Sequence, residues 1–265
     1  MLILLPPSEG KAVHGDGHPV DPARLALPEV AQARDEVLAR LQELCRRPEE
    51  TAREVLGLSA AQGEAVRRNR SLSEAPTLRA ADLYTGVLYD RLALPDLLGS
   101  ASADRTAESV LIFSGLWGVL APGDRVPPYR LSMGVRLPGV GPLGAFWRER
   151  LGDLLEKRAE DRVVVDCRSS TYAAAWRPGA TTAERTVSVR VLRETGTGAA
   201  AKRSVVSHMA KAARGAIAHS LLSEGVHPRT PAEVAEALDA VGCTVELHEP
   251  ARRGRPWTLD VIERD

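Results

Sequence analysis

Three short runs, residues 2–5 (LILL), 110–113 (VLIF) and 163–165 (VVV), are apolar at every position. A strand with one wet face alternates with period two, whereas a strand buried on both faces reads as a continuous apolar run. These runs are too short for buried helices, and each gives way at once to a polar or glycine-containing loop. They predict neighbouring strands of one sheet covered by helices. The fold class that follows is α/β: a central mixed sheet flanked by helices.

The other elements fit that class. Residues 29–46 carry Val30, Val37, Leu38, Leu41 and Leu44 at helical spacing, and residues 48–57 and 59–70 read as two more helices. Residues 80–98 read as helical pieces around Tyr84-Thr85-Gly86, and 142–159 as a helix carrying Phe146 and Trp147. Residues 186–192 alternate as a strand, and 204–207 form a short strand leading into a helix over 208–222. A further helix over 230–241 has Thr230 as N-cap, Pro231 next and Glu233 three residues on. Residues 244–249 and 257–263 predict a C-terminal β-hairpin whose loop carries Arg252, Arg253 and Arg255. No repeat, low-complexity segment or long linker divides the chain, so residues 1–265 are read as one domain.

Three well-separated cysteines without a CxxC pair argue against a disulfide framework and a cysteine zinc site. The apolar start stops after five residues and lacks a basic flank, which suits a strand better than a signal peptide or membrane span. A cytoplasmic protein without a membrane partner is expected. The sequence does not define an oligomeric state.

The 35 basic and 35 acidic residues cancel, so only their distribution bears on partners. Residues 195–223 hold Lys202, Arg203, His208, Lys211, Arg214 and His219 without one Asp or Glu. On the 208–222 helix His208, Lys211 and Arg214 step by three and share a side. Only four of the basic residues are lysine: Lys11, Lys157, Lys202 and Lys211. In an arginine-rich chain, a retained lysine suggests a place that wants a compact ammonium.

Each apolar strand opens into a loop of similar chemistry: Ser8-Glu9-Gly10-Lys11, Ser114-Gly115, Arg168-Ser169-Ser170, and Ser207-His208 with Lys211 beyond. In α/β sheets ligands bind where such loops converge outside the carboxyl ends of strands. Simple strand-end capping by Ser and Gly is the alternative. Residues 114–120 (SGLWGVL) hold two glycines three apart, which suits the turn of a helix-hairpin-helix offering backbone N–H groups to phosphate. They suit equally a buried turn with Trp117 as packing. Pro127-Pro128-Tyr129-Arg130 displays an aromatic beside a cation, either to stack on nucleic acid or to brace a loop.

The chain lacks GxSxG, HExxH, a Walker A loop and a strand-borne GxGxxG. No cofactor is expected, and no metal site is assigned, His14 and His18 being only a faint hint.

Taken together, the chain resembles the YaaA peroxide-stress protein family. The likeness runs through residues 1–5, 83–86, 113–122, 128–134, 146–147, 163–172 and 210–215 and is densest over 113–134. It implies one compact α/β fold with a helix-hairpin-helix-like element and a positive cleft, DNA as the partner, and a role in limiting damage from peroxide and unincorporated iron. Two departures stand out. The lysine of this loop is Lys11, after an added Ser-Glu-Gly, and only Lys211 precedes Ala-Ala-Arg-Gly where the family has a lysine pair.

The leading expectation is a DNA-binding stress protein. Its phosphate or anion contacts would come from Ser8, Lys11, Ser114, Gly115, Trp117, Gly118, Tyr129, Arg130, Ser169, Ser170, His208, Lys211, Arg214 and Gly215, with the Arg252–Arg255 loop in support. The alternative is an enzyme or binding protein for a small, nucleotide-like anionic metabolite in the same cleft, with Glu9 as acid/base and Lys11 or Lys211 as anion anchor.

Overall fold

The computed structural model describes residues 1–196, 202–205 and 209–264 of the protein. Its strands are β1 (Leu2–Leu5), β2 (Leu78–Arg79), β3 (Val110–Ser114), β4 (Gly118–Leu120), β5 (Arg125–Val126), β6 (Arg136–Leu137), β7 (Gly141–Pro142), β8 (Val164–Asp166), β9 (Thr186–Thr195), β10 (Lys202–Val205), β11 (Val245–His248) and β12 (Trp257–Arg264). Its helices are α1 (Ala31–Arg46), α2 (Glu49–Leu56), α3 (Gly63–Asn69), α4 (Ala80–Leu83), α5 (Val87–Leu92), α6 (Leu94–Leu98), α7 (Ala103–Ser109), α8 (Leu143–Arg158), α9 (Ser170–Ala173), α10 (Ala180–Ala183), α11 (Met209–Ser223) and α12 (Pro231–Ala240).

One sheet runs in the order β11-β12-β9-β8-β1-β3-β4. Its centre, from β12 to β3, is parallel, and β4 and β11 close the two edges antiparallel. All four residues of β1 are fully buried, as a strand covered on both faces requires. The three apolar runs of the sequence are therefore adjacent: Ile3 pairs with Val110 on one side and Val165 on the other.

β9 outruns β8. Its first residues pair with β8, and Leu192 to Thr195 pair with β10 on the same edge. That arrangement carries the chain back over the carboxyl end of β8, and α11 follows, packed on β9 and α5. α12 starts as its sequence suggests, with the Thr230 hydroxyl accepting the Glu233 N–H at 3.2 Å, but the Glu233 carboxylate takes the N–H of Arg229.

The stretch over 114–120 departs from the helix-hairpin-helix expectation. It is the tight turn of a β-hairpin, β3 to β4, and residues 114–120 are all buried. Gly118 sits at φ +72°, and a Cβ there would meet the Trp147 ring at 2.7 Å. A Cβ on Gly115 would meet the Leu131 carbonyl oxygen at 2.6 Å. Both glycines answer to close packing inside the core. The Gly115 carbonyl accepts the Trp147 indole N–H at 2.9 Å, and the N–H groups of Leu116 and Trp117 donate to Ser114 Oγ at 3.2 and 2.9 Å, so these donors are already taken inside the core.

Candidate functional site

The loops that follow β1 and β8 do converge. With the start of α5, residues 130–132 and one side of α11 they enclose a pocket of about 440 Å³. Ser8, Glu9, Lys11, Arg130, Ser169, Lys211 and Arg214 all line it.

Lys11 is the most constrained of these. Its Nζ donates to the Ser8 carbonyl at 2.7 Å and lies 4.6 Å from the Tyr129 ring centre and 5.3 Å from that of Tyr84. The rings supply a weakly attractive, dry seat for a cation. Burial, and then the nearby Arg130 guanidinium, bring the Lys11 ammonium down to about 7. Burial outweighs the opposing pull of Glu9, the carboxylate that lines the pocket. Glu9 is itself engaged, with its Oε2 3.0 Å from Arg130 Nη2.

Residues distant in sequence hold these groups in place. Tyr89 donates its hydroxyl to the Pro6 carbonyl at 2.8 Å and so fixes the loop after β1. Asn69, fully buried, exchanges two hydrogen bonds with the backbone of Arg130. After β8, Arg168 grips Asp166 through Nε at 2.9 Å and Nη2 at 2.7 Å and stacks 4.3 Å from the Phe113 ring centre. That buried fork leaves Ser169, Thr171 and Tyr172 facing the pocket, whereas Ser170 is exposed and lies outside its lining.

On α11, Lys211 is exposed at the rim and Arg214 is half-buried beside it. Gly215 is buried against α5 and lies outside the pocket's lining. A Cβ there would sit 2.1 Å from the Leu88 carbonyl oxygen of α5. Gly215→Ala is expected to push α11 off α5 and cost about 1–3 kcal/mol of stability, the usual toll of overpacking. Urea unfolding of the variant checks this, and an unchanged midpoint would show that the helix crossing is loose.

Several expected contacts lie elsewhere. Ser114, Gly115, Trp117 and Gly118 belong to the buried hairpin. Tyr129 is also buried, so its ring cannot stack on nucleic acid. Its hydroxyl lies 2.6 Å from Ser114 Oγ and 2.9 Å from the Tyr84 hydroxyl, and it serves the pocket from beneath, as the seat of Lys11. The Arg252–Arg255 loop precedes β12, whose first residue pairs with Val187, so it stands at the amino end of the sheet, away from the pocket. His208 lies outside the described residues. Thr85, Tyr89, Ser132 and Tyr172 line the pocket without having been singled out as site residues. The Tyr84-Thr85-Gly86 break between helical pieces was the available signal for the first of them. Among the described residues no helix is long and apolar enough to cross a membrane, and no group of three His, Cys, Asp or Glu is placed to hold a metal.

This architecture defines an α/β protein whose cavity opens at the carboxyl ends of a parallel core sheet, lined among the described residues by Lys11, Arg130, Lys211 and Arg214 and by the Glu9 carboxylate. The family model described as "Peroxide stress protein YaaA" matches residues 1–244, and the chain belongs to that family. It is 50% identical over 262 residues to a UPF0246 protein of Streptomyces coelicolor, covering 99% of this chain and 98% of that one. A UPF0246 protein of Corynebacterium efficiens is 38% identical, with 99% and 100% covered, and one of Phenylobacterium zucineum is 33% identical, with 82% and 80% covered. The resemblance that was densest over 113–134 is thus a family relationship spanning nearly the whole chain.

Proposed function

We propose that the pocket binds a phosphate-bearing ligand of about one nucleotide's size, and that the chain contributes to peroxide defence through that ligand. One observation carries the reading. Lys11, Arg130, Lys211 and Arg214 converge from separate parts of the chain on a pocket in which, among the described residues, Glu9 is the one carboxylate of the lining, and Arg130 already engages it. A volume of about 440 Å³ is that of a small-molecule site. A cationic lining of this kind selects phosphate or carboxylate.

DNA is the second reading, supported by the exposed position of Lys211 on the rim and by the basic, acid-free stretch around it. A duplex is too wide for the pocket, so DNA would be held at the rim with at most one extruded nucleotide inside.

Titration across a salt series separates the two. For the small-ligand reading, a mononucleotide such as AMP saturates one site with a shallow salt dependence, and Lys211→Ala weakens it about tenfold, the worth of one charge-assisted contact. For DNA, duplex affinity falls steeply with salt, and Lys211→Ala lowers the slope by roughly one unit without changing sequence preference. Absence of binding by both ligands would remove the pocket reading.

A further inference from the structure

We propose that Lys11 is an imine-forming amine and that the ligand of this pocket is a phosphorylated aldehyde or ketone. The proposal deepens the pocket reading above and rests on it. Three features of geometry support it. Lys11 Nζ lies inside the cavity wall rather than on the rim, seated against the Tyr129 and Tyr84 rings. Its hydrogen bond runs to a carbonyl oxygen, that of Ser8, while the pocket's carboxylate is held by Arg130. A lysine kept for charge alone is normally matched by a carboxylate when it is drawn out of water. Meanwhile Arg130, Lys211 and Arg214 already supply cations for a phosphate.

The two tyrosines strengthen the case. Burial raises both phenols, so they keep their protons and place no negative charge beneath the amine. Neither phenol therefore adds a charge that would hold the Lys11 proton, and burial, outweighing Glu9, brings its proton affinity to about 7 and leaves a large neutral fraction at neutral pH. The chain relies mostly on arginine for positive charge, and arginine cannot give up a proton to become a nucleophile.

The reaction balances without a further reagent. The neutral Nζ adds its lone pair to the carbonyl carbon, and the carbonyl oxygen takes up a proton. The resulting carbinolamine has one N–H left; its hydroxyl departs with that proton as water, leaving a C=N bond. Two sources can present this chemistry: a free phosphorylated aldehyde, or the ring-opened sugar of an abasic nucleotide within a strand.

The experiment uses pyridoxal 5′-phosphate for the first source and a single-stranded oligonucleotide with one abasic site for the second. Each is incubated with the full chain, reduced with borohydride and mapped by peptide mass. Pyridoxine 5′-phosphate, which lacks the aldehyde, reports phosphate binding alone. The expected result is a single reduced adduct on Lys11 from at least one source, formed with a rate that rises through pH about 7. Lys157 and Lys202 serve as internal controls. Lys11→Arg keeps a cation and should lower trapping by about 100-fold or more, since it removes the nucleophile. Should that variant fold poorly, the map of the wild-type adduct still decides. Greater trapping by one source identifies it. If pyridoxine 5′-phosphate binds but no adduct forms on Lys11, or adducts form only on other lysines, the imine proposal is overturned and the pocket reading stands. If none of the three compounds binds, both fall.

Discussion

Replacing Arg34 with methionine is expected to destabilise the protein by about 3–5 kcal/mol, the cost of stranding several buried acceptors at once. Arg34 is completely buried. Its Nε donates to the Trp117 carbonyl at 3.0 Å, and Nη1 donates to Pro22 at 3.1 Å and Leu27 at 3.2 Å. Nη2 donates to the carbonyls of Ala26 and, at 3.1 Å, Val119. One planar fork thus ties the residues before α1 to the β3–β4 hairpin. Burial lowers its proton affinity to about 10, with Asp124 opposing, so it keeps its charge throughout the neutral range. Methionine matches much of the volume but none of the donors. Arg34→Lys should recover little, because a point ammonium cannot span five carbonyls. Urea unfolding is the measurement, and a loss below about 1 kcal/mol would mean that water replaces the guanidinium without penalty.

Gly118→Val should cost a similar amount, about 3–5 kcal/mol, from two separate causes. At φ +72° a β-branched residue is strained, and its Cβ would lie 2.7 Å from the Trp147 ring. Gly118→Ala carries the same two penalties in smaller measure. Combining it with Trp147→Leu opens room for the new Cβ, so the double variant should lose less than the sum of the single losses. Strict additivity would show that backbone strain alone sets the cost. The damage would also reach the pocket, because Ser114, at the foot of this hairpin, holds the Tyr129 hydroxyl beneath Lys11.

The sheet centre was legible because burial on both faces erases alternation, a signature that residues 2–5 and 110–113 carry without any knowledge of their partners. The pocket was partly legible for a related reason: a parallel strand has to release its chain at one end of the sheet, and Ser8, Lys11 and Ser169 follow two such strands. The hairpin over 114–120 was not. Two glycines three apart satisfy a helical turn and a β-turn alike, and what decides between them is an atom, the Trp147 ring, that sequence spacing cannot locate. Tyr129 misled for the same reason, since its hydroxyl partners Ser114 and Tyr84 are brought to it only by the fold. Arg34 did leave a trace. Val30 just before α1 and Val37, Leu41 and Leu44 on it mark a buried stripe, and position 34 is the charged gap within it. A cation on an apolar stripe announces a buried network of acceptors.

The central place of β1 has a consequence for the order of assembly. Ile3 has to find Val110 on one side, and Leu2 has to find Val164 on the other. No short hairpin can seed the middle of this sheet, so the chain closes large loops before the strongest burial is realised. The α1–α3 helices, joined by local contacts, can collapse early. The parallel strands and the pocket they carry can form only late and together. Until then an apolar strand waits without neighbours, the kind of segment that associates between molecules as readily as within one.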